Sequence, residues 1–319
     1  MRIARTLEEA AAFAPSAVTI GNFDGVHAGH KQLIDTVVEA ARERGVHPVV
    51  LSFDPHPAAV VAPGRKPRLL TTQAQRCELI ERENIESVVI LPFTAEFSRL
   101  TPEEFAERVL AKALGARVVV VGENFCFGYR QSGDTEVLAD LGLRLGFETR
   151  VLPPVKRRGR IVSSSEIRRA VESGRVQAAA RQLERPYAIE GEVISGRGVG
   201  SKQTVPTLNL HTTAQVMPAH GVYITRTREL GDRRRHWNSL TNIGNRPTFG
   251  SGEVSIETYL LDHFEDPAPI RISVEFLHRL RDEKKFDTPE SLKTQILRDV
   301  GRAQTYLRRS TKWIRSSRS

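Results

Sequence analysis

The chain has only two cysteines, Cys77 and Cys126, in 319 residues, and no C-x-x-C pair. That argues against a disulfide framework and a cysteine-based zinc site, and a reducing cytoplasm is the expected compartment. No run of about 18 apolar residues occurs, so no membrane-spanning helix is expected. The N-terminal "MRIARTLEEAAAF" carries acidic residues and no continuous apolar stretch, which does not fit a secretory signal. RNP-like, zinc-finger and helix-turn-helix patterns are missing, as are internal repeats and low-complexity segments.

What is present is an ordinary globular composition, 39% apolar and 27% charged. The length suggests roughly two domains of about 150 residues. The net charge is +9, with arginine clusters at "KRRGR" (156–160), "GDRRRHW" (231–237) and the tail "YLRRSTKWIRSSRS". Such charge serves nucleic acid, small anionic substrates, or simply a solvated basic surface.

Hydrophobic patterning divides the chain. "AVTIG", "PVVLSFD", "SVVILPF", "RVVVVGE" and "FETRVLP" read as five buried strands, alternating with helical patterns in "HKQLIDTVVEAARERG", "TTQAQRCELIERE", "TPEEFAERVLAKALG" and "DTEVLADLGLRLG". This βαβα grammar predicts a doubly wound, Rossmann-like parallel sheet, with ligands at the carboxyl ends of its strands. After two short helices, "SSSEIRRAVESG" and "AAARQLE", the grammar changes. "YAIEGEVI", "TLNLH", "GVYITRT", "WNSLTNIG", "SIETYLL" and "RISVEFLHRL" follow with no helix between them, predicting a small antiparallel β-barrel. "TPESLKTQILRDVGRAQTYLRR" closes the chain as an amphipathic helix. The boundary is placed near Arg185-Pro186, giving domains 1–185 and 186–319.

Two stretches carry chemistry. "TIGNFDGVHAGHKQLIDTVV" turns from strand to helix through a glycine-rich loop, where free N–H groups favour an anion. His27 and His30, three apart, are expected on one face of the first helical turn, able to donate to a nucleotide phosphate as charge builds. In "SSSEIRR", Ser163 and Glu166 have capping-box spacing, and Arg168 follows where a guanidinium could grip a triphosphate. The second stretch, "GEVISGRGVGSKQTVPTLNL", has four glycines from Gly191 to Gly200 and then Lys202, suited to wrapping a polyphosphate. Thr207 and Asn209, two apart in a strand, point one way and offer oxygens to Mg²⁺. In "EVSIETYLL", Ser255, Glu257 and Tyr259 share the face opposite Val254, Ile256, Thr258 and Leu260. Glu257 is either a solvent-facing strand residue or a general base for a substrate hydroxyl.

The motif G-x-F-D-G-x-H-x-G-H resembles that of the bacterial bifunctional riboflavin kinase/FAD synthetases, and "FDPHP", "GENFCFG" with a following "SGD", and "SSSEIRRAVESG" match in order. "GRGVGSKQTVPTLN", "GVYI", "NIGNRPTF", "SIETYLLD" and "LRDEKKFD" look like the riboflavin kinase module. The resemblance covers nearly the whole chain. It implies riboflavin phosphorylation to FMN in the C-terminal domain and adenylylation of FMN to FAD in the N-terminal one, with ATP, riboflavin and FMN as substrates and Mg²⁺ as cofactor. It also implies His27, His30, Arg168 and Glu257 as catalytic residues. Gly21, Asn22, Phe23, Gly29, Ser164, Gly196 and Lys202 would bind ATP; His56, Asn124, Arg281, Lys284 and Phe286 the flavin; Thr207 and Asn209 the metal. Two departures stand out: Ser165 replaces the usual threonine, and "TVPTLN" lacks the family's glycine and has Leu208 for alanine. The alternatives are a chain with one live activity, and a basic nucleic-acid-binding protein on the same scaffold.

Overall fold

Strands such as "VVL" and "VVVV" are apolar on both faces and must be covered by helices on each. In the computed structural model, which describes residues 1–194, 207–231, 235–245, 254–263 and 267–316, they form one sheet. Its strands are β1 (Arg2–Ala4), β2 (Ser16–Ile20), β3 (His47–Asp54), β4 (Ser87–Pro92), β5 (Ala116–Gly122) and β6 (Glu148–Leu152). They run in the order β1-β4-β3-β2-β5-β6, all parallel. The order reverses between β2 and β5, which makes the crevice at their carboxyl ends the topological switch point.

The helices of this half are α1 (Leu7–Ala10), α2 (Ala28–Arg44), α3 (Ala58–Val61), α4 (Gln73–Glu81), α5 (Pro102–Phe105) and α6 (Thr135–Leu145). Period-2 alternation sorts the strands' side chains into two cores. Val50, Val88, Val118 and Val120 pack with Ile34 and Val37 of α2 and Ile80 of α4. Val49, Leu51, Val119 and Val121 pack with Phe105, Leu110 and Leu138. Local signals set the ends: Thr72/Gln75 and Thr101/Glu104 form capping boxes, and Gly45 (φ 64°) and Gly146 (φ 83°) stop α2 and α6.

Three details depart from the sequence reading. The three-residue edge strand β1 is too short to show periodicity, yet pairs with β4. β6 is an edge strand and only half-buried. The pattern "TPEEFAERVLAKALG" is α-helical only at its start and continues as a π-helix through Ala106–Ala113, where Leu114 N–H reaches the Val109 carbonyl five residues back. A small hairpin, β7 (Lys156–Arg157) with β8 (Arg160–Ile161), presents part of the "KRRGR" cluster.

The chain packs as two compact units, Met1–Ser164 and Ser165–Ser319. Helices α7 (Ser164–Glu172) and α8 (Val176–Leu183) lead into a closed barrel of β9 (Tyr187–Ile194), β10 (Thr207–His211), β11 (Gly221–Glu229), β12 (His236–Asn245), β13 (Val254–Leu260) and β14 (Arg271–Arg281). The barrel order is β10-β13-β12-β11-β14-β9. Its interior holds a chain of hydroxyls, Thr227–Ser239–Thr225–Thr241–Thr258, linked at 2.8, 2.8, 2.8 and 3.0 Å. Outside, Val222, Ile224, Leu240 and Leu280 lie under Val300, Ala303 and Leu307 of the closing helix α9 (Pro289–Ser316).

Thr225 is the middle of the hydroxyl chain. Thr225→Val keeps the shape but removes two hydrogen bonds in a buried setting, so the barrel should lose about 1–3 kcal/mol. Urea unfolding checks this through the midpoint of the barrel's transition; an unchanged midpoint would show that the chain contributes nothing net.

Candidate functional site

The turn after β2 is strained. Phe23 (φ 49°), Gly25 (φ 83°) and Val26 (φ 38°) all occupy the left-handed region, costing about 1–3 kcal/mol at each non-glycine residue. A buried carboxylate holds it. Asp24 accepts hydrogen bonds from Leu70 N–H (2.9 Å), Thr71 N–H (3.2 Å) and the Thr71 hydroxyl (3.3 Å), and Gly25 N–H donates to Thr71 Oγ1 (3.1 Å). Arg76, also buried, donates to the Asn22 carbonyl at 2.9 Å, and the Ser164 hydroxyl donates to the Asp24 carbonyl at 2.9 Å. The sequence reading missed Thr71 and Arg76, which lie about fifty positions away and carry no local signal.

The turn ends at His27, which is extended (φ −85°, ψ 173°) and caps α2 rather than belonging to its first turn. Its Nδ1 accepts from His30 N–H at 3.3 Å. A neutral imidazole that accepts at Nδ1 carries its proton on Nε2, so that edge is a donor. The His27 and His30 rings stack at 3.6 Å and 13°, and His30 also meets the Phe23 ring at 5.1 Å. At Gly29 a Cβ would sit a tight 3.2 Å from the His27 ring and would press on it. Gly21, whose N–H bonds to the Leu51 carbonyl, starts the turn. Gly21, Asn22, Phe23, His27, Gly29, His30 and Ser164 are thus brought together at the N-terminus of a seventeen-residue helix, a setting that favours anions. Arg168 stands on α7, one turn beyond Ser164, while Glu166 pairs with Arg169.

Two further residues follow strand ends in the same sheet. His56 comes after β3, its Nδ1 accepting from Ala58 N–H at 3.1 Å, and Asn124 is exposed after β5. At the ends of β3 and β4 the sequence reading missed an aromatic platform: Phe53, Phe93 and Phe97 meet pairwise at 5.5–5.7 Å. The available signal was a phenylalanine at or just past the end of both β3 and β4.

On the barrel, register assembles the second group. Asn209 of β10 stands opposite Glu257 of β13, and Glu257 opposite Asn242 of β12. Thr207 stands opposite Tyr259. Because Thr241 and Thr258 point inward, these residues lie on the outer surface, with Glu257 half-buried between two asparagines. Burial, then the Glu257 charge, pushes the Tyr259 phenol up, against a hydrogen bond with Thr207. Asn242 escaped the sequence reading because its partner is fifteen residues away. At the end of β14, Arg281 donates to Asp299 of α9 at 2.8 Å, and both Arg281 and Lys284 lie 5.8 Å from the Phe286 ring. Gly196 and Lys202 lie outside the described residues. Among the described residues no three His, Cys, Asp or Glu side chains gather as metal ligands.

Comparison with known proteins matches residues 9–166 to the FAD synthetase family and residues 183–307 to the riboflavin kinase family. A bifunctional riboflavin kinase/FMN adenylyltransferase from Pseudomonas fluorescens is 34% identical over 90% of this chain and 91% of its own length. The protein of that name from Escherichia coli K12 is 32% identical over 88% and 90%. A crystal structure of a macrolide-efflux protein from Streptococcus pneumoniae superposes with a TM-score of 0.82 at 30% identity, covering 91% of this chain and 95% of that one. The efflux name belongs to that protein; among the described residues here no helix is long and apolar enough to cross a membrane.

If Asp24 holds the strained turn, Asp24→Ala leaves its donors unsatisfied in a buried site and should destabilise the first unit by about 3 kcal/mol. Asp24→Asn, which keeps an acceptor, should cost less. Thermal unfolding of both variants checks this, and equal stability of Asp24→Ala and wild type would remove the carboxylate from the account.

Proposed function

Because the chain belongs to the bifunctional riboflavin kinase/FMN adenylyltransferase family and makes FMN and then FAD at the expense of ATP, we propose how its residues divide the work. The stacked His27–His30 pair at the switch point carries the assignment of FAD synthesis. The Asn209–Glu257–Asn242 row carries that of riboflavin phosphorylation.

In the first unit, a phosphate oxygen of FMN attacks the α-phosphorus of ATP and the bond to pyrophosphate breaks. The Nε2–H of His27 and the adjoining His30 ring are the donors to the phosphate oxygens as charge accumulates. Gly21, Asn22, Phe23 and Gly29 shape the ATP cradle through the backbone. Ser164 serves it indirectly, its hydroxyl being spent on the Asp24 carbonyl. Arg168, which falls in the second unit, is assigned to the triphosphate on the family match alone. The isoalloxazine ring is assigned to the Phe53–Phe93–Phe97 platform, with His56 and Asn124 at its edge.

In the second unit, the terminal hydroxyl of riboflavin attacks the γ-phosphorus of ATP, and the bond from that phosphorus to the ADP oxygen breaks, releasing ADP. Glu257 takes the hydroxyl proton, and the flanking Asn209 and Asn242 hold its carboxylate in place. Thr207 and Asn209 provide the hard oxygen donors that suit Mg²⁺, which when bound would neutralise charge on the phosphates. Arg281, Lys284 and Phe286 are assigned to the flavin, with Arg281 anchored by Asp299. Gly196 and Lys202 are assigned to the ATP phosphates on the family match alone. The functional boundary is placed near Arg185-Pro186, supported by family matches that end at 166 and begin at 183. A reducing cytoplasm is proposed on the free state of both thiols.

The two sites make reciprocal predictions. His27→Ala/His30→Ala should lower FAD formation from FMN at least hundredfold, since one such donor is worth roughly 3 kcal/mol, and should leave FMN formation intact. Near-normal FAD synthesis would sink the assignment. Glu257→Gln keeps the shape but cannot take the proton, so kcat for FMN formation should fall by roughly 10²–10⁴ with little change in KM. Phosphorylation within a fewfold of wild type would leave Glu257 a strand residue only. A fragment beginning near Arg185 should make FMN and no FAD, and FAD production by it would disprove the boundary.

A further inference from the structure

Along α9, Arg298, Arg302 and Arg309 recur at spacings that keep them on one edge, together with Gly301, Thr305 and Tyr306. This edge and the outward side chains of Ile224, His278 and Leu280 line an open cleft of about 620 Å³. The Tyr306 ring stacks on His278 at 5.1 Å and 11°, and His278 Nδ1 lies 3.0 Å from Gln177 Oε1 of α8. The apolar stripe of α9, Val300, Ala303 and Leu307, shares a cluster with Leu240 and Tyr259. The arginine edge lines the cleft with residues of β11 and β14, and Glu257 is not among the cleft's described lining residues.

Other arginines of this unit find carboxylates: Arg281 pairs with Asp299, Arg235 with Glu229 and Arg226 with Glu275. Among the described residues Arg298, Arg302 and Arg309 have no such partner, although they crowd one concave surface. Three guanidiniums on one helix edge repel one another unless an anion bridges them. Their spacing, about 6 and about 10 Å along the axis, exceeds what one phosphate spans. The stacked His278–Tyr306 pair, partly exposed at the cleft, adds an aromatic surface for a flat ring.

We propose that this cleft is a binding site for a phosphate-bearing ligand of nucleotide size, separate from the catalytic row at Glu257. The proposal does not depend on the roles assigned above. Free polyphosphates and a nucleic-acid backbone share the relevant chemistry, and a volume of about 620 Å³ suits the small ligand.

His278 reports on the site. Burial and then the Arg302 charge hold its imidazole below the usual range. The groups facing it are Arg298, Arg302, Arg309 and Tyr306 from α9 and Gln177 from α8. An anion on the guanidiniums offsets the Arg302 repulsion, so the His278 titration should move upward. The full chain, with ¹³C-labelled histidine and the His278 signal assigned by its loss in His278→Gln, is titrated with inorganic tripolyphosphate against sodium chloride of matched ionic strength. The expected result is a saturable shift of the His278 signal and a raised midpoint. Binding should be roughly tenfold or more weaker in Arg298→Ala/Arg302→Ala and partly restored in Arg298→Lys/Arg302→Lys. Riboflavin phosphorylation at saturating substrate should be unchanged in both. No shift, or the same shift with sodium chloride or in the alanine variant, overturns the proposal. A shift produced by a short single-stranded oligonucleotide and not by tripolyphosphate overturns the small-ligand assignment. Loss of riboflavin phosphorylation in parallel with binding overturns the separation from the catalytic row.

Discussion

A buried carboxylate governs the first site. The turn after β2 places Phe23 and Val26 in left-handed backbone conformations, which a chain does not adopt unless something fixes it there. Asp24 does so by gathering donors from Leu70 and Thr71, and its own carbonyl receives the Ser164 hydroxyl. The loop before α4 and the approach to α7 are thereby tied to one turn. The strain is set against hydrogen bonds to a charged acceptor, which are among the stronger ones available. With the turn fixed, His27 caps α2 and its ring lies flat on His30.

Among the described residues the second site has no turn strained in this way. It arises from strand register. In an antiparallel pair, residues opposite one another share a face, so Asn209, Glu257 and Asn242 form a row without any local contact dictating it. The row stays in register because the inward face is committed to Thr225, Thr241 and Thr258. A slip of one residue would exchange these hydroxyls for Glu257 and the asparagines, burying a carboxylate. The barrel interior and the Asn209–Glu257–Asn242 exterior therefore constrain each other.

The outer surface of the barrel is divided by α9. Its apolar stripe is used to cover Val222, Ile224 and Leu240, its Asp299 to hold Arg281, and its arginine edge is left facing a cleft. A single amphipathic helix thus closes the fold, anchors the segment assigned to flavin and supplies a strongly basic surface. This accounts for part of the charge that composition alone left open between a solvated surface and an anion site.

Continuous valine runs and glycine-stopped helices were legible as a parallel sheet, and alternation without helices as a barrel, because both follow from side-chain periodicity within a few residues. The G-x-F-D-G-x-H-x-G-H stretch marked an anion site for the same reason: its glycines and imidazoles are close in the chain. The three-residue β1 was invisible because its pairing with β4 gives it its only structure. Thr71, Arg76 and Asn242 were invisible because their meaning depends on partners on other elements, fifteen to about fifty residues away. His27 was placed in a helix by its spacing from His30, whereas its side chain caps the helix and so cannot belong to it. Sequence alone determined the element types and the chemistry of each turn, which are local. Which side chains meet across the strand ends and around the barrel was decided by sheet order and register, which are set by long-range burial.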